Sequence, residues 1–287
     1  DLPGAAGDLR ALAKAHPEWA LKQGSTTATW KDRKGLTWMD ASAKPVWDYN
    51  VAIAKDALAR GFDEINFDYV RFPSDGNLKL IGYPYWDQKT ARHTVIKEFF
   101  RYVRSQMPQA RLSADLFGLA TVNNDDLGIG QIIEDAYRYF DYVSPMVYPS
   151  HYAKGEYGIA DPNAEPYKVV HKTMSDAKKR LGKNDVQLRP YLQDFSMGRR
   201  YGPREVRAQI QACEELGIKE WLLWNPNCDY TRLALKSKDG VLARAAQVPP
   251  SMLVPLEEKE RRGKTEAGGV RASSQPAALP SGETGQA

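Results

Sequence analysis

Gly61-Phe62-Asp63-Glu64-Ile65-Asn66-Phe67-Asp68-Tyr69-Val70-Arg71-Phe72-Pro73 decides the fold of this chain. Asp63 to Val70 reads as a strand, because β-branched and aromatic residues alternate there with polar ones. A helix precedes it over Pro45 to Arg60, with Val46, Tyr49, Ile53 and Ala57 on one stripe. Gly61 suits the position just past the end of that helix. Strand side chains point alternately to opposite faces. Ile65, Phe67 and Tyr69 therefore share one side, and Glu64, Asn66 and Asp68 the other. A polar triplet on one face of a buried strand is costly unless it serves a site or a satisfied network.

The same unit recurs downstream. A strand at Ala110 to Phe117 follows a helix from Thr90 to Gln106 that stops before Pro108. A strand at Asp141 to Tyr148 follows a short helix around Gln131 to Tyr139. Val186 to Leu192 follows a helix from Pro166 to Leu181, and Lys219 to Trp224 follows one from Pro203 to Leu216, with proline at its first position. Five strands, each preceded by a helix, predict parallel βα units and the α/β class. Residues 1–44 break this rhythm; Thr26–Trp30 and Leu36–Met39 read as a short hairpin or loop excursion.

Composition excludes several classes of function. The chain has 287 residues, 42% hydrophobic and 26% charged, with net charge +4 and both signs interspersed. That is enough apolar material for a core, and no basic block is long enough to suggest nucleic acid. No apolar run reaches the ~18 residues of a membrane span, and no signal peptide opens the chain. Every Trp, Tyr and Phe lies at or before Tyr230. From Gln247 the text turns Pro/Ser/Gly/Ala-rich, so 1–246 reads as the folded domain and 247–287 as a disordered tail. Cys213 and Cys228 make neither a disulfide framework nor a zinc spacing. The four histidines show no metal-ligand pairing, Gly128-Ile129-Gly130 lacks the context of a dinucleotide loop, and no GxSxG elbow occurs. No metal and no cofactor are expected.

The polar residues gather toward the C-terminal ends of successive strands, the end where (β/α)₈ enzymes hold their chemistry. Asp68 and Asp115 stand at two such ends. Ser113 shares a face with Asp115. Ser144, Met146 and Tyr148 share another. Leu188, Pro190 and Leu192 turn to the helices and leave Arg189, Tyr191 and Gln193 inward. Trp224 and Asn225 end the last strand. Glu64 and Asn66 either serve the site or are satisfied interior groups.

These residues carry a resemblance. Gly61 to Pro73, with Ser113-Ala114-Asp115-Leu116-Phe117-Gly118, Ser144-Pro145-Met146-Val147-Tyr148-Pro149-Ser150-His151-Tyr152, Arg189-Pro190-Tyr191-Leu192-Gln193-Asp194-Phe195 and Trp221-Leu222-Leu223-Trp224-Asn225-Pro226, resembles a largely uncharacterised bacterial family of glycoside-hydrolase-like domains. His16-Pro17-Glu18-Trp19 and Val46-Trp47-Asp48-Tyr49-Asn50 extend the likeness. The resemblance implies a (β/α)₈ TIM barrel in which the Phe67-Asp68-Tyr69 strand is the fourth. On that count strands four to eight are present and one to three are missing. The expectation is a partial barrel with an open parallel edge at Asp63–Val70. It also implies an extracytoplasmic setting. More distantly the chain is similar to chitinases. Asp63, Asn66 and Asp68 stand at their three aspartate places, but Val70 stands where the catalytic glutamate should be, so their mechanism does not carry over.

Glycosidic cleavage needs one carboxylic acid to protonate the leaving oxygen and usually a second carboxylate across the sugar. Asp68 and Asp115 are the candidate catalytic pair, with roles unassigned and both stereochemical outcomes open. Arg71, Tyr148, His151, Gln193, Asp194, Trp224 and Asn225 are candidates for binding a carbohydrate polymer or oligosaccharide. Their alternatives are structural: a loop-packing salt bridge for Arg71, a core position for Trp224, a loop start for Asp194. Three readings follow: a hydrolase, a non-catalytic carbohydrate-binding barrel (motivated by Val70), or an inactive fragment.

Overall fold

A computed structural model of the chain describes residues 2–3, 10–182 and 187–256. The chain divides into two compact units, 1–145 and 146–287. The first contains β1 (Leu2–Pro3), α1 (Arg10–Ala15), β2 (Lys22–Gln23), α2 (Lys44–Ala59), β3 (Glu64–Asp68), β4 (Ile81–Gly82), α3 (Arg92–Gln106), β5 (Arg111–Phe117) and α4 (Ile133–Tyr137). β6 (Tyr142–Val147) runs from the first unit into the second, which continues with α5 (Pro166–Leu181), β7 (Tyr191–Gln193), α6 (Pro203–Glu215) and β8 (Leu222–Trp224). The β3–β5, β6–β7 and β7–β8 pairings are all parallel. Five parallel strands alternating with helices are the α/β architecture of a partial (β/α) barrel.

β3 packs as its alternation requires. Ile65 and Phe67 are buried, while Glu64, Asn66 and Asp68 keep partial exposure. The Phe67 ring sits 6.0 Å from Phe99 of α3 and 6.1 Å from Phe140, and Trp47 of α2 meets Phe99 edge-on at 5.6 Å. The helices therefore cover the Ile65/Phe67 side, and the polar triplet faces away from them. Each buried aromatic ring adds roughly 2–3 kcal/mol through area removed from water.

Several boundaries differ from the expectation, each for a local reason. β3 stops at Asp68 instead of Val70, because Tyr69 adopts a left-handed backbone with φ of 56°. α2 buries Val46, Trp47, Asn50, Val51 and Ala54; of the predicted stripe Val46 is buried, Ile53 and Ala57 are half-buried, and Tyr49 is 40% exposed. The Trp47 indole sets that rotation by donating to Ala41 O at 2.7 Å and packing on Phe99. β7 begins only at Tyr191, after Pro190, which has no N–H for a ladder. Its carbonyl still accepts the Leu222 N–H at 2.9 Å. Residue 186, where this strand was expected to start, lies outside the described residues. β8 is likewise confined to Leu222–Trp224.

The N-terminal excursion holds antiparallel bridges, Ala20↔Met39, Lys22↔Thr29 and Lys31↔Thr37, and β2 pairs antiparallel with β4. The β3 edge expected to be open is lined by β1, with Leu2 opposite Phe67 and Pro3 opposite Asp68. Of the expected tail, 257–287 lies outside the described residues. Residues 247–256 are irregular apart from a 3₁₀ turn at Pro250–Met252.

The loop after β5 ties the ends of β3 and β5 together. Gln131 accepts the Phe117 N–H at 2.9 Å and donates to Val70 O at 3.2 Å, while the Phe72 N–H reaches Ile129 O at 2.8 Å. Gly130 makes this approach possible. Its φ is +87°, and an added Cβ would lie 2.6 Å from Ile96 Cγ1 and 3.0 Å from Arg92 O. Gly130→Ala is expected to lower stability by about 2 kcal/mol through left-handed strain and overpacking. Urea unfolding checks this, and a change below about 0.5 kcal/mol, the scale of a neutral surface substitution, would contradict it.

Candidate active site

The first unit concentrates its polar strand residues on one face of β3 and β5. Register pairs Asn66 with Ser113 and Phe67 with Ala114. Continued by one residue, it sets Asp68 beside Asp115, at the ~4.8 Å spacing of adjacent strands. Asp115 is 3% exposed, and its Oδ2 accepts Asn66 Nδ2 at 3.0 Å. Ser113 Oγ lies 2.8 Å from Asn66 Oδ1 and 2.6 Å from Glu64 Oε1. Glu64 and Asn66 thus belong to one hydrogen-bonded network that includes Asp115.

Asp68 closes β3, and its Oδ1 accepts the N–H of Tyr69 at 2.6 Å. Burial pushes its carboxyl up from the ordinary 3.8 to about 6, outweighing the Tyr69 N–H and the Arg71 cation, which both favour the ionised form. The left-handed turn at Tyr69 is a strained position for a bulky residue and bends the chain directly after the acid. The Tyr69 hydroxyl is pushed up to about 12, by burial first and then by the Asp68 charge.

Arg71 is 7% exposed. Its guanidinium lies 4.7 Å from the Trp38 ring centre and 5.1 Å from those of Tyr69 and Phe117, a cation framed by three aromatic rings. Nη1 donates to Phe72 O at 3.2 Å and Ser74 Oγ at 3.1 Å. Burial lowers its pKa, opposed by the charges of Tyr69, Asp68, Asp75 and Asp32. Sequence reasoning missed Trp38, Phe117, Gln131 and the turn at Tyr69. None stands in a periodic pattern with Asp68, and tyrosine gives no cue for a positive φ.

The remaining candidates lie in the second unit. The Tyr148 ring is edge-on to His151 at 5.4 Å and Phe195 at 5.5 Å, and Ser150 Oγ is 3.0 Å from His151 Nδ1. Gln193 accepts the Ser150 N–H at 3.0 Å and donates to Phe195 O at 2.9 Å, so its amide fixes the turn carrying His151. Asp194 accepts the Thr231 N–H at 2.7 Å and the Thr231 hydroxyl at 2.5 Å, and burial raises its pKa. Asn225 donates to Asp194 O and, at 2.8 Å, to Asp229 O, and accepts the Asn227 N–H at 2.9 Å. Asp194 and Asn225 knot the loop after β8. Trp224 is half-buried, edge-on to Tyr191 at 6.3 Å.

A polar groove of 490 Å³ opens in the first unit between Asp63, Arg104, Arg111 and Asp141. It lies at the N-terminal ends of β3 and β5, opposite Asp68. Its Arg104–Asp141 ion pair at 2.8 Å also caps the Leu112 N–H, a role in stability. Among the described residues, no group of three or more His, Cys, Asp or Glu side chains is arranged to hold a metal ion, and no helix is long and apolar enough to cross a membrane.

No curated protein matches the sequence. Among solved structures, the chain is similar to a hypothetical protein from Ruminiclostridium thermocellum, at 38% identity over 40% of this chain and 55% of that one, with a TM-score of 0.35. It is also similar to the PgaB (BpsB) glycoside hydrolase domain from Bordetella bronchiseptica, at 13% identity over 71% of this chain and 64% of that one, with a TM-score of 0.49. A third likeness is to the α-galactosidase TtGalA from Thermus thermophilus, at 14% identity over 77% of this chain and 41% of that one, with a TM-score of 0.44. The chain thus spans less than two thirds of the length of each. Residues 8–230 match the family described as "Putative glycosyl hydrolase domain", and the chain belongs to that family.

Proposed function

We propose that the chain cleaves glycosidic bonds of a polysaccharide, with Asp68 and Asp115 as its carboxyl pair. The observation that carries this reading is the β3–β5 register, which sets the two aspartates side by side on the face turned away from the helices. Two carboxyl groups about 5–9 Å apart span both the retaining and the inverting arrangement. Asp68, with its carboxyl raised to about 6, suits the acid that protonates the leaving oxygen. Arg71 supplies a fixed cation beside it. Within the second unit by itself, the half-buried Trp224 carries one aromatic face of the kind on which a sugar ring stacks. An extracytoplasmic setting accompanies a polysaccharide substrate.

The test is a hydrolysis screen over soluble polysaccharides with the wild type, Asp68→Asn and Asp115→Asn. Product from the wild type and a loss of at least about 100-fold in each variant is expected, the scale of removing a general acid or base. Unchanged turnover in both variants would remove the pair. A non-catalytic carbohydrate-binding barrel is the second reading, favoured by the fully buried Val70 at the place of the chitinase glutamate. Glycan binding without any product would select it.

A further inference from the structure

Residues 20–39 break the βα rhythm, yet both of their tryptophans are buried and reach the loop after β3. Trp30 Nε1 donates to Asn77 O at 3.2 Å, and Gly76 lies on the same ring, where an added Cβ would stand 2.9 Å from Cζ2. Trp38 faces the Arg71 guanidinium, 4.7 Å from its ring centre. The Trp38 ring is itself locked. Its indole donates to Asp32 Oδ2 at 3.0 Å, while Asp32 Oδ1 accepts the Lys34 and Leu36 N–H groups at 2.9 and 2.8 Å. Tyr69 and Phe117 complete the frame around the guanidinium, at 5.1 Å each.

A guanidinium is shaped for two-point pairing with a carboxylate, and Asp68 stands only three residues from Arg71. Among the described residues, however, Arg71 forms no ion pair, and Asp68 and Arg71 act on each other through charge alone. Its Nη1 turns instead to Phe72 O and Ser74 Oγ, at 3.2 and 3.1 Å. Ring faces attract a cation most strongly where water is excluded, and Arg71 is buried. A cation that would ionise the acid by direct pairing is thus kept near it without touching it.

We propose that the rings of Trp38, Tyr69 and Phe117 hold the Arg71 guanidinium off the Asp68 carboxyl, so that Trp38 is a positioning residue for the acid and the N-terminal excursion is part of the site. That Asp68 is the acid rests on the function proposed above; the restraint on Arg71 does not. Its effect is on the proton: with Arg71 held back, burial keeps the carboxyl at about 6.

The other charges around the pair come from three directions. Asp115 stands beside Asp68 on β5. Asp75 and Asp32 act on Arg71, and Arg33 and Lys34 act on Asp75. The chain's amino-terminal charge is the weakest influence on Asp68. The Tyr69 hydroxyl, pushed up to about 12, is neutral at pH 7. A substitution that alters only a ring leaves all of these charges in place, so they cancel between variants.

Carbon-13 NMR of the chain labelled at the aspartate side-chain carboxyls follows the Asp68 titration, its signal identified by its loss in Asp68→Asn. Trp38→Leu keeps apolar bulk and removes the ring face. The Asp68 midpoint is then expected to fall by about one to three pH units, the effect of an arginine paired with an aspartate. Trp38→Phe keeps a ring face and is expected to hold the midpoint near that of the wild type. Water admitted to the acid would also lower the midpoint, so the comparison is repeated in an Arg71→Gln background, where Trp38→Leu should leave it unmoved. An unmoved or raised midpoint in Trp38→Leu would overturn the proposal. So would a fall of the same size in Trp38→Phe, or one that persists without the arginine. If Trp38→Leu does not fold, Phe117→Leu carries the same test from the other side of the frame. On an active substrate, the alkaline limb of kcat/KM should move to lower pH in Trp38→Leu by the same amount as the midpoint. With no turnover of any substrate, the titration alone decides.

Discussion

Asp68→Asn is expected to become more stable than the wild type at pH 8 while losing about 10³-fold in kcat/KM, within the range that a lost general acid produces. The two effects share one cause. Burial raises the folded-state carboxyl to about 6 from 3.8, so the folded protein holds this proton more tightly than the unfolded chain does. The sign follows: the stabilising contribution is complete below about pH 4 and is lost as pH rises through about 6. At pH 8 the ionised group costs on the order of 2–3 kcal/mol, the free energy of a shift of about two units. Asparagine removes that charge, yet its Oδ1 can still accept the Tyr69 N–H that the carboxylate accepts now.

Urea denaturation of both proteins at pH 4, 6 and 8 checks the prediction. The variant should lead at pH 8, and the difference should close toward pH 4. Contributions from other carboxyls cancel in the comparison. An Asp68→Asn protein that is less stable at pH 8 would mean that Arg71 and the Tyr69 N–H, not burial, dominate the carboxyl. The same assignment makes kcat/KM fall as pH rises through about 6, as the acid loses its proton.

What could be read from the sequence was what burial enforces. Glu64, Asn66 and Asp68 alternate with Ile65 and Phe67, and a strand with helices on one side must sort them that way. The parallel βα order followed from helices alternating with short apolar runs. What could not be read depends on contacts between positions that no period links. Arg71 is framed by Trp38, 33 residues upstream in an irregular excursion, and by Phe117 at the end of another strand. Gln193 and Asp194 look alike as polar residues at a strand end. That their polar atoms meet Ser150 and Thr231 depends on where two loops return. The rotation of α2 was set by one indole reaching Ala41 O, which a stripe count cannot weigh. Tyr69 is the sharpest case. The left-handed turn that ends β3 directly after Asp68 sits on a residue type that disfavours it, as at other sites where local strain and function coincide.

Phe67→Ala is expected to cost 3–5 kcal/mol, the typical loss for a large ring removed from a tight core, out of a total stability of about 5–15 kcal/mol. Phe67 is fully buried and holds the helix side of β3 against Phe99 and Phe140. Those rings also pack on others, Phe100 on Phe140 at 5.0 Å and Trp47 on Phe99 at 5.6 Å, so the cavity cannot close by moving one side chain. Phe67 is flanked by Asn66 and Asp68 on the other face of the same strand. A shift of β3 into the vacated space therefore carries the donor to Asp115 and the proposed acid with it. Displacement of about 1 Å can lower turnover roughly 100-fold even in molecules that stay folded. Phe67→Leu should lose only about 1–1.5 kcal/mol, since it keeps most of the volume, and should recover much of the turnover. Urea unfolding with activity normalised to the folded fraction separates the two effects. A Phe67→Ala protein within about 1 kcal/mol of wild type would show that the aromatic layer under β3 does not hold the strand that bears Asp68.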